Sequence, residues 1–144
     1  VTCSVAPKIV DRLNVAEAAN FAAGKAFQKV VFATQADVKN VKVFLDGGLY
    51  LGRKKKGAST RPFDTEVSAK TIIKGDEKYP VIGLASIVAK VTRDRKMKKL
   101  DEIHKGYAFS VHKGYGTRAH VQAIQTRGLS NVHRLTFTRK WSNL

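Results

Sequence analysis

Only two segments of this chain have the character of β-strands, and that scarcity constrains its fold more than any other feature. Val41-Lys42-Val43-Phe44-Leu45-Asp46 is a β-branched and aromatic run that stops at Gly47-Gly48, and the stretch from Val67 to Lys74 stops at Gly75-Asp76. Runs of this composition that break into glycine turns read as strands. Helical patterns surround them. Between Asp11 and Phe32, apolar or small residues fall at Leu13, Ala16, Ala19, Ala23, Ala26, Phe27 and Val30, close to a helical period, with Asp11 as the predicted N-cap. Pro80 suits a first helical position. It opens a predicted helix to about His104 that turns Leu84, Ile87, Val88, Val91 and Leu100 inward. Thr117 predicts the N-cap of a further helix running to about Arg127 and ended by Gly128. Leu135-Thr136-Phe137 reads as a short terminal strand or an extended tail.

Alternating strands and helices predict an α/β layer. A two-stranded sheet is marginal by itself, while the 43% hydrophobic content is that of a folded chain. The expectation is therefore one α/β domain over residues 1–144 whose sheet is incomplete, as if an N-terminal portion were missing. No internal repeat or linker divides the chain. It starts at Val1, and its one methionine is Met97, so it reads as processed or as a fragment of a longer reading frame.

The formal net charge of +16 is extreme for 144 residues. It predicts a polyanionic partner, with nucleic acid first and an anionic membrane surface second. Residues 103–144 carry seven Lys/Arg and no acid, which makes this segment the candidate phosphate-facing surface. The longest apolar run, Pro80 to Ala89, is too short to span a bilayer. Cys3 is the single cysteine, so neither a disulfide framework nor a cysteine zinc site is expected. No secretory signal is visible, and a reducing cytoplasm is the default expectation.

Three residues stand out as carriers of chemistry. Asp46 ends a strand just before two glycines, the place in α/β sheets where side chains reach into the crevice beyond the strand ends. A turn-forming Asp before Gly is the plainer reading. Asp94 falls seven residues after Ile87 and three after Val91, at the edge of the apolar helix face. It is either ion-paired with Lys90 or Lys98, or a divalent-metal ligand. Tyr115 stands between Gly114 and Gly116 in a basic loop, where a ring can stack on a base or sugar while Lys113 and Arg118 hold phosphates; inward packing is the alternative. With Lys74 of the Lys74-Gly75-Asp76 turn, these are the candidate substrate-binding residues. His104, His112, His120 and His133 match no metal-ligand spacing and read as surface or structural residues. Arg53-Lys54-Lys55-Lys56 reads as a solvated loop.

The segments Lys74-Gly75-Asp76, Ala85-Ser86-Ile87-Val88-Ala89-Lys90-Val91-Thr92-Arg93-Asp94-Arg95 and His112-Lys113-Gly114-Tyr115-Gly116-Thr117, in that order and spacing, closely resemble ribonuclease HII. That type 2 ribonuclease H cuts RNA within RNA–DNA hybrids. Asp11-Arg12-Leu13-Asn14 resembles the start of the family's first helix, and His133-Arg134 followed by Phe137 its terminal motif. The resemblance implies a ribonuclease H-like fold, a mixed sheet flanked by helices. It implies two divalent metals, Mg²⁺ or Mn²⁺, held by four carboxylates, and assigns metal-binding and catalytic roles to Asp46 and Asp94. It places Tyr115 on the sugar at an RNA–DNA junction, and makes an RNA–DNA hybrid, or DNA with embedded ribonucleotides, the expected partner.

The family's first strand bears an adjacent Asp-Glu pair followed by a glycine–arginine–glycine turn that senses the ribose 2′-hydroxyl. Here Asp76-Glu77 and Asp101-Glu102 are the adjacent pairs, and neither precedes such a turn or lies on a leading strand. The expectation is the C-terminal portion of the domain, inactive by itself and open to a complementing N-terminal segment. A non-catalytic basic nucleic-acid-binding module is the competing reading. A basic ribosomal-type protein explains the charge but not the placement of the two aspartates.

Overall fold

The computed structural model describes residues 1–52 and 67–141; the Arg53–Lys56 run lies outside the described residues. The chain divides into two compact units, Val1–Ile87 and Val88–Leu144. It is a mixed α/β structure, mostly helical, with a small parallel sheet.

In the first unit, Pro7–Leu13 (α1) is followed by Val15–Thr34 (α2), a turn of 3₁₀ helix at Val38–Asn40, and the strands Lys42–Asp46 (β1) and Ser68–Ile72 (β2). Gly75–Lys78 (α3) is a single turn, and Pro80–Ile103 (α4) begins here and continues into the second unit. One helix from Asp11 is not what forms. Asp11 lies inside α1, and the chain breaks at Asn14, whose φ is 67°. The Asn14 side chain accepts the Glu17 N–H at 3.1 Å and caps α2 instead, because a short amide can bond a backbone N–H three residues on where Leu13 cannot.

α2 buries Ala18, Asn20, Gly24 and Phe27; of the positions picked out by its apolar period only Phe27 is buried, and Ala16 and Val30 are exposed. Phe27 joins Leu45, Leu51 and Val67 in a core flanked by Val31, Val38, Val41, Val43 and Leu49. Buried Asn20 fastens the chain leaving β1: its Oδ1 accepts the Tyr50 N–H at 2.9 Å and its carbonyl accepts the Gly52 N–H at 3.0 Å. The two strands pair in parallel, with Lys42 opposite Ser68 and Asp46 opposite Ile72. Both therefore release the chain at the same end of the sheet.

The inward face expected of α4 is corrected by the structure. Leu84 is 64% exposed, and Ile87, Val88 and Val91 are exposed as well; in this helix only Ile82 is buried, while Leu100 is half-buried. The apolar stripe is real, but nothing among the described residues covers it.

In the second unit, Phe109–His112 (α5), Arg118–Arg127 (α6) and Leu135–Thr138 (α7) follow α4. Tyr107, Phe109 and Ile124 form the core, with Met97, Leu100, Ala123, Leu129, Val132 and Trp141 packed against it. Thr117 Oγ1 accepts the His120 N–H at 3.3 Å and caps α6, which ends at Gly128 as its sequence predicts. Leu135–Thr138 is a helical turn rather than a strand; the Phe137 and Thr138 N–H groups both bond the Arg134 carbonyl. Among the described residues no helix is long and apolar enough to cross a membrane.

Candidate active site

In the first unit Asp46 is the last residue of β1, so its side chain stands at the strand-end rim where two parallel strands stop together. Its Oδ1 accepts the Gly75 N–H at 2.7 Å. A charge-assisted bond of this length fixes the carboxylate's direction. Among the described residues Oδ2 has no hydrogen-bond partner. Gly75 leaves little spare room at the donor position. A Cβ on Gly75 would stand 2.7 Å from Ile82 Cδ1 and 3.3 Å from the bonded Asp46 oxygen. Lys74 precedes Gly75 with a left-handed backbone, φ 54°. Its ammonium pairs with Glu77 at 3.4 Å, and both side chains are well exposed, so the pair is weakly held.

In the second unit Asp94 is half-buried on α4. It makes no ion pair with Lys90 or Lys98, and among the described residues it has no other. Its neighbour Arg93 turns to the loop that joins α5 to α6. The guanidinium donates to the Lys113 carbonyl at 2.8 Å and to Tyr115 Oη at 3.3 Å, and lies 5.1 Å from the centre of the Tyr115 ring. The ring is 63% exposed. Its hydroxyl is held below the ordinary tyrosine value, first by the Arg93 hydrogen bond and then by the Arg93 charge, with Asp94 acting weakly the other way. Tyr115 is thus presented to solvent rather than packed inward.

Lys113 turns its ammonium back onto the Ser110 carbonyl, leaving it less extended than a free phosphate contact. Arg118 is exposed at the first position of α6. The sequence candidates fall into two groups, Asp46 with Lys74 in the first unit, and Asp94, Lys113, Tyr115 and Arg118 in the second.

Two features escape the sequence. Arg93 reads there only as a flank of Asp94, because a bond to a residue 22 positions away leaves no periodic mark. The histidines read as surface or structural residues, yet His112, His120 and His133 are all buried. The His112 and His120 rings stack with centroids 3.9 Å apart, and the His120 and His133 Nε2 atoms are 3.2 Å apart. Burial pushes the pKa of His120 down. Burial, then the neighbouring His120, takes His133 down to about 4. The only sequence trace of this cluster is the run of aromatic and His residues through Tyr107, Phe109 and His112.

Among the described residues no three His, Cys, Asp or Glu side chains converge on a point that could hold a metal ion. Asp46 spends one oxygen on Gly75, and a pair of hard cations needs several anionic oxygens. The described residues do not fit a complete two-metal centre.

Residues 5–140 match the family described as Ribonuclease HII. Ribonuclease HII of Coxiella burnetii (strain Dugway 5J108-111) is 38% identical over 128 residues, 89% of this chain and 54% of that protein. That of Sulfurovum sp. (strain NBC37-1) is 42% identical over 106 residues, 74% of this chain and 53% of that protein. That of Dichelobacter nodosus (strain VCS1703A) is 38% identical over 138 residues, 95% of this chain and 64% of that protein. The chain thus spans between about half and two-thirds of the length of these relatives. A family match across nearly all of its residues, on an α/β fold consistent with the ribonuclease H-like architecture, shows that this chain belongs to the ribonuclease HII family.

Proposed function

We propose that this chain is the substrate-holding portion of an endoribonuclease that hydrolyses the RNA strand of RNA–DNA hybrids, or of DNA with embedded ribonucleotides. The observation that carries the reading is Tyr115, an exposed ring held by Arg93 in a basic loop of a ribonuclease HII chain. An aromatic face fixed in this way stacks on a sugar or base, while cations of the acid-free segment 103–144 neutralise phosphates. Lys113 and Arg118 belong to that phosphate-facing set, and Lys74 is a separate substrate contact of the first unit.

Asp46 and Asp94 are the carboxylates this chain would contribute to a centre for Mg²⁺ or Mn²⁺. The remaining ligands would come from a complementing segment carrying an Asp-Glu pair, and the chain by itself would hold substrate without cutting it. Support comes from Asp46, oriented by Gly75 at the strand-end rim, and from Asp94, which has no ion pair among the described residues.

The test is cleavage of a labelled RNA–DNA hybrid with Mg²⁺ or Mn²⁺, comparing the chain with its Asp46→Asn variant and with salt-dependent binding of the same hybrid. The expected result is salt-sensitive binding without cutting. Metal-dependent cutting abolished by Asp46→Asn would establish the nuclease and overturn the inactivity of the isolated chain. Failure to prefer the hybrid over duplex DNA would overturn the substrate assignment and leave a general basic nucleic-acid-binding module.

A further inference from the structure

The buried histidines of the second unit are joined to the main chain of Tyr115, and their partners fix the direction of every bond. A carbonyl can only accept. The contact of 2.9 Å between His120 Nδ1 and the Tyr115 carbonyl therefore places the proton on Nδ1. Nε2 of a neutral His120 then accepts, so His133 donates to it through its own Nε2–H at 3.2 Å. That leaves His133 Nδ1 as the acceptor, and it receives the Ser130 N–H at 3.0 Å and the Ser130 hydroxyl at 2.8 Å. His112 follows the same logic. Its Nε2–H donates to the Tyr107 carbonyl at 2.6 Å, and its Nδ1 accepts the Gly114 N–H at 3.1 Å.

Each ring has one donor and one acceptor nitrogen, and all six are engaged. The arrangement ends at two successive groups of one loop, the Gly114 N–H and the Tyr115 carbonyl. That loop turns through two residues of positive φ, Lys113 at 51° and Gly114 at 82°, a shape that local preference does not enforce. Arg93 holds the same loop from α4, through the Lys113 carbonyl and the Tyr115 hydroxyl.

We propose that Ser130, His133, His120 and His112 are positioning residues that set the loop at Gly114 and Tyr115, and with it the presentation of the Tyr115 ring to nucleic acid. The inference rests on the substrate role of Tyr115 argued above. A ring ordered before binding loses less freedom when it stacks, so affinity follows from atoms that never touch the ligand.

The experiment uses the full chain with isotope-labelled tyrosine. The Tyr115 ring signal is identified by its loss in Tyr115→Phe, and hybrid affinity is read by fluorescence anisotropy. His120→Leu removes both ring nitrogens, and His120→Asn returns a donor near the place of Nδ1. In His120→Leu the Tyr115 signal is expected to shift or broaden and affinity to fall about tenfold, as in Tyr115→Ala, with no further loss in the double variant. His120→Asn is expected to recover most of both. Should His120→Leu fail to fold, judged by the Ile124 methyl signals, Ser130→Ala takes its place. It removes only the hydroxyl donor to His133 and is expected to shift the Tyr115 signal and cost affinity about twofold.

An unchanged Tyr115 signal in a folded His120→Leu or Ser130→Ala variant would overturn the proposal. So would an affinity loss that adds fully to that of Tyr115→Ala. If Tyr115→Ala binds hybrid like the parent while His120→Leu still moves the Tyr115 signal, the positioning role stands and the substrate role of Tyr115 fails.

Discussion

Arg93 reaches across 22 residues of sequence to donate to the hydroxyl of Tyr115 at 3.3 Å while its charge lies 5.1 Å from the ring centre. The same guanidinium also bonds the Lys113 carbonyl. One planar fork therefore meets two acceptors, which a lysine ammonium on a flexible stem matches poorly. Arg93→Lys is expected to weaken hybrid binding about three- to tenfold, a loss of about 1 kcal/mol. The slope of log affinity against log salt should stay near that of the parent, because the count of cations is unchanged. A reduced slope with little loss at low salt would instead make Arg93 a phosphate contact.

The bond from Gly75 to Asp46 separates two roles of one carboxylate. Asp46→Asn keeps an oxygen for the Gly75 N–H, whereas Asp46→Ala leaves that donor without its partner. The alanine variant is expected to lose about 1–3 kcal/mol of stability in urea unfolding, and the asparagine variant under about 1 kcal/mol. Equal stability of both variants would show that the Gly75 bond contributes little to the fold. Any effect on metal-dependent cleavage of a complemented enzyme should be large in both, since a neutral amide is a poor ligand for a hard cation.

Much of this architecture is legible in the sequence because it depends on short-range patterns. The strand ending at Asp46, the glycine turn at Gly75 and the Thr117 cap with its stop at Gly128 each follow from residue type and spacing. The failures share a cause. A single helix through Asn14 is what the alanine periodicity suggests, but one side-chain cap decides the break. Leu84, Ile87, Val88 and Val91 form an apolar stripe whose period reveals a face without revealing what covers it. Arg93 bonds across 20 and 22 residues and His120 meets His133 across 13, separations where periodicity carries no information.

Gly116 and Trp141 test the packing around the tyrosine loop. A Cβ on Gly116 would lie 2.5 Å from the Trp141 ring, and Trp141 also packs beside His120 with centroids 6.0 Å apart. Gly116→Ala must therefore displace a large ring, at an expected cost of about 1–3 kcal/mol. Trp141 is the one tryptophan of the chain, so its emission reports the change directly. A red-shifted spectrum with a lowered unfolding midpoint is expected. An unshifted spectrum would mean that the ring adjusts without losing its cover.

The histidine cluster makes stability depend on pH in a defined window. His133 titrates near 4 in the folded chain, below its ordinary unfolded value of about 6.5, and burial lowers His120 as well. Above that unfolded value both states are deprotonated and stability is flat. As pH falls from about 6.5 toward 4, the unfolded chain takes up protons that the folded chain refuses, so stability drops. Protonation in place would set N–H against N–H between His120 and His133, and His133 Nδ1 would lose its capacity to accept from Ser130. Urea unfolding between pH 7 and pH 4 is expected to show a decline on the order of 2 kcal/mol. In His133→Gln that decline should shrink, since glutamine can donate near the place of Nε2 without titrating. A decline of the same size in His133→Gln would move the acid sensitivity to other groups.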